Sequence, residues 1–317
     1  MMVNSYINIL LSQNTFILLL SDFIILLLQC SVLYIVLQII SKWNLNSYTS
    51  FSFKLENRSY FAMLIIYFTT IVKILLYPYF IYTLDTISSI IPGAMCGAGV
   101  ISANLYGEKL LILKTIILFV GGVWIVINNL DIKQKHTYFM INKSKVYIVL
   151  FVLLSLEFFY EILFFTHLST IAPVTCCSAI YNTNATNPLP FSINTFTLLI
   201  LFYGSFIITF YSNIKQKYII SFFSSIIFIY IAYYAVIYFF GPYIYDLPTH
   251  HCPFCMLQKD YYFVGYFIFG SLFLAVFYGV LNFILYITIK KTIKKYYQYS
   301  NLFLIFFILL TFSYLNY

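Results

Sequence analysis

Residues 16–41 read FILLLSDFIILLLQCSVLYIVLQIIS, a stretch with a single charged side chain, Asp22. A helix of about 20 apolar residues crosses the hydrocarbon core of a membrane, so this stretch predicts a transmembrane helix. A transmembrane barrel instead needs strands of about 10 residues in which apolar and polar side chains alternate. This run is continuous over more than twice that length. The stretch therefore favours an all-α membrane protein.

The composition extends this prediction to the whole chain of 317 residues, of which 62% are hydrophobic and 8% are charged. The mean hydropathy of +0.93 exceeds what a soluble domain of this length could cover with polar residues. Eight stretches are apolar and long enough, or nearly so, to be spans: 16–41, 60–84, 107–130, 146–166, 194–213, 218–240, 261–289 and 301–317. We therefore expect a polytopic transmembrane helix bundle of about eight spans. It would be a single integral membrane domain over residues 1–317, in contact with membrane lipid.

The basic residues predict an orientation. Thirteen of the 17 Lys and Arg residues lie in alternate loops, those that follow spans one, three, five and seven. By the positive-inside rule these loops are cytoplasmic, so both termini and the loops 85–106, 167–193 and 241–260 face outward. We expect the inner (plasma) membrane of a bacterium, with an oxidising periplasm outside. The net charge of +8 is explained by the anionic inner leaflet, and no nucleic-acid partner is expected.

The three outward loops share a proline followed four residues later by a cysteine, in the sequences IPGAMC, APVTCC and LPTHHC. The pairs are Pro92 and Cys96, Pro173 and Cys177, and Pro248 and Cys252. Because proline ends a helix, it can hold a cysteine at a fixed offset above the membrane. The alternative is that this spacing arose by chance. We interpret the pattern as three helical hairpins with the same outer element, whose cysteines converge on one site.

Residues 252–259 read CPFCMLQK and resemble the Cys-x-x-Cys-x-x-Gln-Arg signature of DsbB-type membrane enzymes, which pass electrons from periplasmic thiols to a quinone. The resemblance implies that Cys252 and Cys255 form a redox pair, with a quinone near Gln258 and Lys259. It also implies that the motif opens an inward-running helix. Lys259 stands where the family has arginine, and the family is a four-helix bundle. The position of the other loop cysteines, upstream of the motif, is similar to that in the vitamin K epoxide reductase family.

The residues of the third loop support thiol chemistry on their own. A helix N-terminus and the basic groups of His250, His251 and Lys259 would lower the pKa of a nearby thiol. Cys252 would then be the nucleophile and Cys255 its resolving partner. The other loop cysteines, which would relay electrons by thiol exchange, are Cys96, Cys176 and Cys177. This hypothesis makes the chain a membrane thiol–disulfide oxidoreductase that reacts with a periplasmic thiol protein.

A metal-handling protein is the alternative, because the residue before each aligned cysteine is also a metal ligand. The candidate ligands are Met95, Cys96, Cys176, Cys177, His251, Cys252 and Cys255. They would suit copper, zinc or haem, received from a metallochaperone. The histidines precede the cysteines, which argues against covalent attachment of a c-type haem. In a third interpretation, the chain is a structural subunit of a transporter or respiratory complex, and the cysteines only brace its loops.

Charged residues inside the predicted spans point to a second candidate site. They are Asp22, Lys73, Lys114, Glu157 and Glu161. Charges in a membrane are expensive and suggest function by default, although they are usually paired. Glu157 and Glu161 are four residues apart and share one helix face. They would form either a proton path toward the outer site or, as the more common arrangement, an ion pair with Lys73 or Lys114.

Overall fold

The computed structural model describes residues 9–43, 49–134, 138–171, 173–174, 193–248 and 250–314. Helices joined by turns and loops make up these residues, and no strand occurs among them. Within them, eight helical segments are long and apolar enough to cross a membrane. The predicted all-α polytopic bundle of about eight spans is therefore confirmed.

We number the helices in chain order. They are α1 (Gln13–Lys42), α2 (Ser50–Ser88), α3 (Gly97–Ser102), α4 (Gly107–Ile132), α5 (Met140–Thr166), α6 (Thr195–Ile214), α7 (Tyr218–Ala235), α8 (Gly241–Tyr245), α9 (Val264–Ile289) and α10 (Lys294–Ser313). A π-helical turn joins α7 to α8, so the sixth span runs over Tyr218–Tyr245. The largest differences from the predicted spans are at the start of α2, at Ser50 rather than residue 60, and at the start of α10, at Lys294 rather than residue 301.

The chain divides into two compact units, Met1–Val174 and Thr175–Tyr317, each of which contains four of the eight spans. The expectation that the whole chain is one domain stays a prediction. In the first unit α1 packs against α2 and α5, and α4 packs against the same two helices. The four spans of this unit therefore form a closed ring, in which every helix has two neighbours.

The two faces of α1 show the pattern of a membrane bundle, in which polar side chains are buried and large apolar side chains are exposed. Its buried positions recur every three or four residues and include Thr15, Asp22 and Gln29, while Leu20 and Phe23 are exposed. Large apolar side chains face outward because lipid accommodates them. Polar side chains face inward because hydrocarbon offers them no partners.

The second unit repeats the ring with a different interior. Here α6 packs against α7 and α10, and α9 packs against the same two helices. Phe202 lies at its centre, with ring centroids 5.8 Å from Phe228 and 6.1 Å from Phe307. Hydrogen bonds between small polar groups add to this core: Ser221 donates to Asn213 Oδ1 over 2.5 Å.

The loop between the sixth and seventh spans is compact. The helix α8 ends at Tyr245 and is followed by Asp246, which has a left-handed backbone (φ 52°). Two short 3₁₀ turns follow, Cys255–Leu257 and Lys259–Tyr261. Two further left-handed residues, Tyr262 and Phe263, precede α9. The chain thus changes direction repeatedly, which keeps the whole Cys-x-x-Cys segment in irregular backbone.

Candidate functional site

The two cysteines of the CPFC motif lie together in the second unit. Their Sγ atoms are within 4.8 Å of each other, with Cys255 buried and Cys252 half-buried. A disulfide requires an S–S distance of about 2.05 Å. The two sulfurs are therefore close enough for rotation of the side chains and a small adjustment of the loop to bring them to bonding distance. Cys252 is the one that an incoming partner would reach more easily.

Tyr245, the last residue of α8, holds both halves of the motif. Its hydroxyl donates a short hydrogen bond to the carbonyl oxygen of Cys252 and accepts one of 3.1 Å from the backbone N–H of Met256. Its ring packs against His250, with centroids 4.2 Å apart, and against Tyr261, at 4.8 Å. Nothing in the sequence distinguishes Tyr245 from the other tyrosines among the 32 of the chain, because its role depends on where the loop folds back.

The prediction that the CPFC motif lies at the start of a spanning helix is wrong. The motif does not open the seventh span, because α9 begins at Val264, nine residues after Cys255. Cys252 therefore has no long helix N-terminus behind it to stabilise a thiolate. Of the two residues expected near a quinone, Gln258 is half-buried between the 3₁₀ turns and Lys259 is exposed.

The two histidines contact aromatic rings and backbone. Burial, reinforced by the neighbouring imidazole of His251, lowers the pKa of His250, and its Nε2 has no hydrogen-bond partner in the described part of the chain. His251 Nδ1 lies 3.3 Å from the carbonyl oxygen of Ile237, and its ring is 4.9 Å from that of Tyr238. Neither histidine belongs to the group of close ligand atoms that contains the two sulfurs.

In the first unit, the proline elements of the first and second outer loops meet. The backbone N–H of Val174 donates to the carbonyl oxygen of Pro92 over 2.9 Å. Gly93 has φ +80°, and a Cβ there would lie 2.3 Å from the oxygen of Val174, so the contact requires glycine. Nearby, Met95 is exposed and Cys96 is buried at the start of α3.

The remaining candidate cysteines, Cys176 and Cys177, lie outside the described residues. Cys96 belongs to the first unit, whereas Cys252 and Cys255 belong to the second. The convergence of all three loops on one site, for electron relay or for metal binding, therefore stays a prediction.

The charged side chains inside the spans form one cluster in the first unit. All five are buried: Asp22 on α1, Lys73 on α2, Lys114 on α4, and Glu157 and Glu161 on α5. Lys73 Nζ is 2.6 Å from Asp22 Oδ1 and 2.8 Å from Glu157 Oε2. Lys114 Nζ is 2.5 Å from Glu157 Oε1 and 3.4 Å from Asp22 Oδ2. Two lysines and two carboxylates thus alternate in a closed ring, which we call the charge ring.

Glu161 adjoins the charge ring without being part of it. Its Oε1 lies 3.4 Å from Lys114 Nζ, and its Oε2 has no partner among the described residues. The expected ion pairing of Glu157 with lysine is therefore present. Asp22 was the member whose partners could not be assigned from sequence, because its neighbours depend on how α1 packs against three other helices.

A second buried ion pair lies at the opposite end of the same unit. Lys143 Nζ is 2.7 Å from Asp131 Oδ2 and donates to Asn128 Oδ1 over 3.2 Å. Asp131 also accepts from the backbone N–H of Phe139 over 2.9 Å. The predicted spans ended at residue 130 and began again at residue 146, and so left this pair outside the membrane. In the structure both residues lie inside helices, and the ion pair joins the last turn of α4 to the first turn of α5.

Comparisons of this chain with protein-family models, with curated proteins and with solved structures found no match. The resemblance in residues 252–259 is therefore a local one, and the function must be argued from the chemistry of the two sites. What the eight apolar helices establish is the class to which the chain belongs: it is an integral membrane protein built as a multi-pass helical bundle.

Proposed function

We propose that this protein carries out thiol–disulfide exchange at the outer face of a bacterial inner membrane, with Cys252 and Cys255 as the reacting pair. The observation that carries the proposal is the distance of at most 4.8 Å between their sulfurs in a loop fixed on both sides by Tyr245. Cys252 is the attacking thiol because it is the more exposed of the two, and the buried Cys255 resolves the mixed disulfide.

Each half-reaction balances. When Cys252 and Cys255 form an S–S bond, their thiols lose two electrons and two protons, and a quinone that accepts both becomes a quinol. The disulfide then oxidises the two thiols of a periplasmic protein and returns to the reduced state.

The surroundings support approach of the quinone from the lipid. Tyr262 is 89% exposed and Phe263 is 47% exposed, three and four residues after Lys259 and directly before the seventh span. Such aromatic side chains favour the boundary between lipid and water. An apolar quinone would reach the loop along this face, with Gln258 and Lys259 as the polar groups nearest its ring oxygens.

The test is a redox titration of the detergent-purified protein. Incubation with a short-chain quinone should convert Cys252 and Cys255 to a disulfide, identified by mass spectrometry of the linked peptide, and dithiothreitol should reverse it. Cys252→Ser should abolish the linked peptide and the associated quinol formation. Cys30→Ser is the matched control, since Cys30 is exposed on a spanning helix, and it should behave like the wild type.

The same preparation separates the alternatives. Stoichiometric copper, zinc or haem that is lost in Cys252→Ser and in His251→Ala would replace the redox proposal with metal handling. Cysteines that neither exchange with quinone nor bind metal would leave the structural-subunit interpretation. The metal alternative has weaker support within the second unit, because neither histidine lies with the two sulfurs.

A further inference from the structure

We infer that the first unit contains a binding site for a single proton, held by Glu161 beside the charge ring. This inference does not depend on thiol exchange in the second unit. Its basis is the mismatch between the number of buried acids and the number of buried bases in one cluster, together with the position of the surplus acid.

The charge ring is complete without Glu161. Asp22 and Glu157 each contact both Lys73 and Lys114, so these four groups neutralise one another. Glu161 is therefore a third carboxylate against two ammonium groups, which would leave a net charge of −1 in the interior of the bundle. An uncompensated charge inside a membrane is expensive, and binding one proton removes it.

Glu161 is also the member with the poorest contacts. It is fully buried, its only ion-pair contact is the 3.4 Å approach to Lys114, and its Oε2 lacks a hydrogen-bond partner within the described ranges. One carboxylate oxygen from each of Asp22, Glu157 and Glu161 lies within 4.8 Å of the other two. Two ionised carboxylates at such a distance repel each other, whereas a protonated Glu161 can donate a hydrogen bond to Asp22.

A metal cation fits the same oxygens poorly. Lys73 and Lys114 already occupy the space between Asp22 and Glu157, at distances of 2.5 to 3.4 Å. A cation placed among the three carboxylates would be repelled by both ammonium groups. Hard cations such as Na⁺ and Ca²⁺ also need several oxygen ligands, and the helical backbone around the cluster has its carbonyl groups in helical hydrogen bonds. The ligand is therefore a proton.

The site is enclosed. The ring of Phe80 covers Lys114, whose Nζ lies 4.7 Å from the ring centroid. Ile117, Leu150 and Leu154 form a buried apolar cluster that lines a small cavity next to Lys73. A cavity of about 10 Å³ beside Lys73 and Thr70 has room for about one water molecule. Exchange of the proton therefore requires a movement of the helices or the entry of water, which is the behaviour expected of a gated proton site.

The charged groups that face Glu161 come from all four spanning helices of the first unit. They are Asp22 from α1, Lys73 from α2, Lys114 from α4 and Glu157 from its own helix α5. A change in any of them alters the site, so the decisive substitution is at Glu161 itself. Glu161→Gln keeps the size and the hydrogen-bond donor of a protonated carboxyl group and leaves the neutral charge ring intact.

The experiment is infrared difference spectroscopy of the full chain in lipid nanodiscs, from about pH 5 to about pH 9, which brackets the ordinary carboxyl and histidine range. The wild type should show the carbonyl band of one protonated, buried carboxyl group, which shifts in D₂O. Glu161→Gln should lose this band while its melting temperature stays equal to or above that of the wild type. Glu108→Gln, at an exposed acid in the first turn of α4, should keep the band.

Two results would overturn the inference. The first is a wild-type spectrum without a protonated carboxyl band at any pH, or a band that persists in Glu161→Gln. The second is a melting temperature that depends on Na⁺ at constant ionic strength and is insensitive to Na⁺ in Glu161→Gln, which would make a metal cation the ligand. If Glu161→Gln failed to fold, Glu161→Asp would replace it in the experiment. In that variant the carbonyl band of the protonated carboxyl group should remain and should shift in frequency.

Discussion

Each unit is a ring of four spanning helices, but the side chains in the interior of the two rings differ in chemistry. In the first unit the centre is ionic, with Lys114 in contact with three carboxylates. In the second unit it is aromatic, with Phe202 packed on Phe228, Phe240 and Phe307. Lipid supplies no hydrophobic driving force between helices, so either kind of contact can hold a ring together. The difference lies in what each interior permits: charges bind protons, and packed rings do not.

The chemistry of each unit follows from this difference. The ionic interior places ionisable groups at the centre of the first unit, where water has little access. The aromatic interior leaves the second unit without buried charge pairs among its described residues, and its reactive groups lie instead in the loop after α8. Our proposals accordingly differ between the units: proton binding in the interior of the first unit and thiol exchange in the loop after α8 of the second.

Removal of the central cation should have the largest effect. Lys114→Met would leave Asp22 and Glu157 with Lys73 as their one cation in the charge ring, and loss of one partner from a buried ionic network destabilises by about 3–5 kcal/mol. Both tryptophans, Trp43 and Trp124, belong to the first unit, so tryptophan fluorescence during thermal unfolding reports on that unit.

The control for this variant is Lys109→Met, at an exposed lysine on the same helix, which should unfold like the wild type. Adding Glu157→Gln to Lys114→Met should restore part of the stability, since it removes one of the carboxylates left in excess. A Lys114→Met protein as stable as the wild type would show that the ionic interior does not hold the first unit together.

A smaller effect is expected for Tyr245→Phe in the second unit. The change removes the hydroxyl that bonds to Cys252 and Met256, and leaving buried backbone groups without partners costs about 1–3 kcal/mol. The loop should open, so the reaction of Cys255 with a bulky maleimide should become faster. Tyr243→Phe is the control, because Tyr243 is half exposed. An unchanged reaction rate in Tyr245→Phe would mean that the loop is held by other contacts.

The smallest effect is a pH dependence confined to the loop of the second unit. The pKa of His250 in the folded loop lies below its ordinary value of 6.5, so the opened loop binds a proton first as the pH falls. Stability of the closed loop should therefore decline as the pH drops below about 6.5, and be fully present above it. Nuclear magnetic resonance of the imidazole nitrogens measures the pKa directly, with His250→Gln to assign the signal. A pKa at or above 6.5 would contradict the burial of this ring.

The spans could be predicted from sequence because each depends on its own hydropathy. Their ends were harder to predict, since Asp131 and Lys143 lie inside the ends of α4 and α5 and form an ion pair that the hydropathy of either helix does not show. The pairing of Glu157 with lysine was expected from the scarcity of charges in the membrane. The sequence could not predict that Asp22 completes the charge ring, because this contact depends on how four helices pack together.

The third loop was harder to predict because irregular backbone has no periodicity to detect. The motif was expected to open a helix, and left-handed residues at Tyr262 and Phe263 delay that helix until Val264. The two cysteines were identified from their motif, CPFCMLQK, and from the position of Cys252 after Pro248. The tyrosine that supports them was not, because its hydrogen bonds are to backbone groups rather than to the motif's side chains.

The length of α2 has a consequence for the lipid around the protein. Its 39 residues extend about 58 Å, nearly twice the thickness of the hydrocarbon core of about 30 Å. Its first turns carry Lys54 and Arg58 and are followed by the exposed Tyr60 and Phe61, side chains that are at home among lipid headgroups. The helix is therefore too long to lie within the hydrocarbon core along its whole length, and its charged first turns are the part suited to contact the phosphates of lipid headgroups.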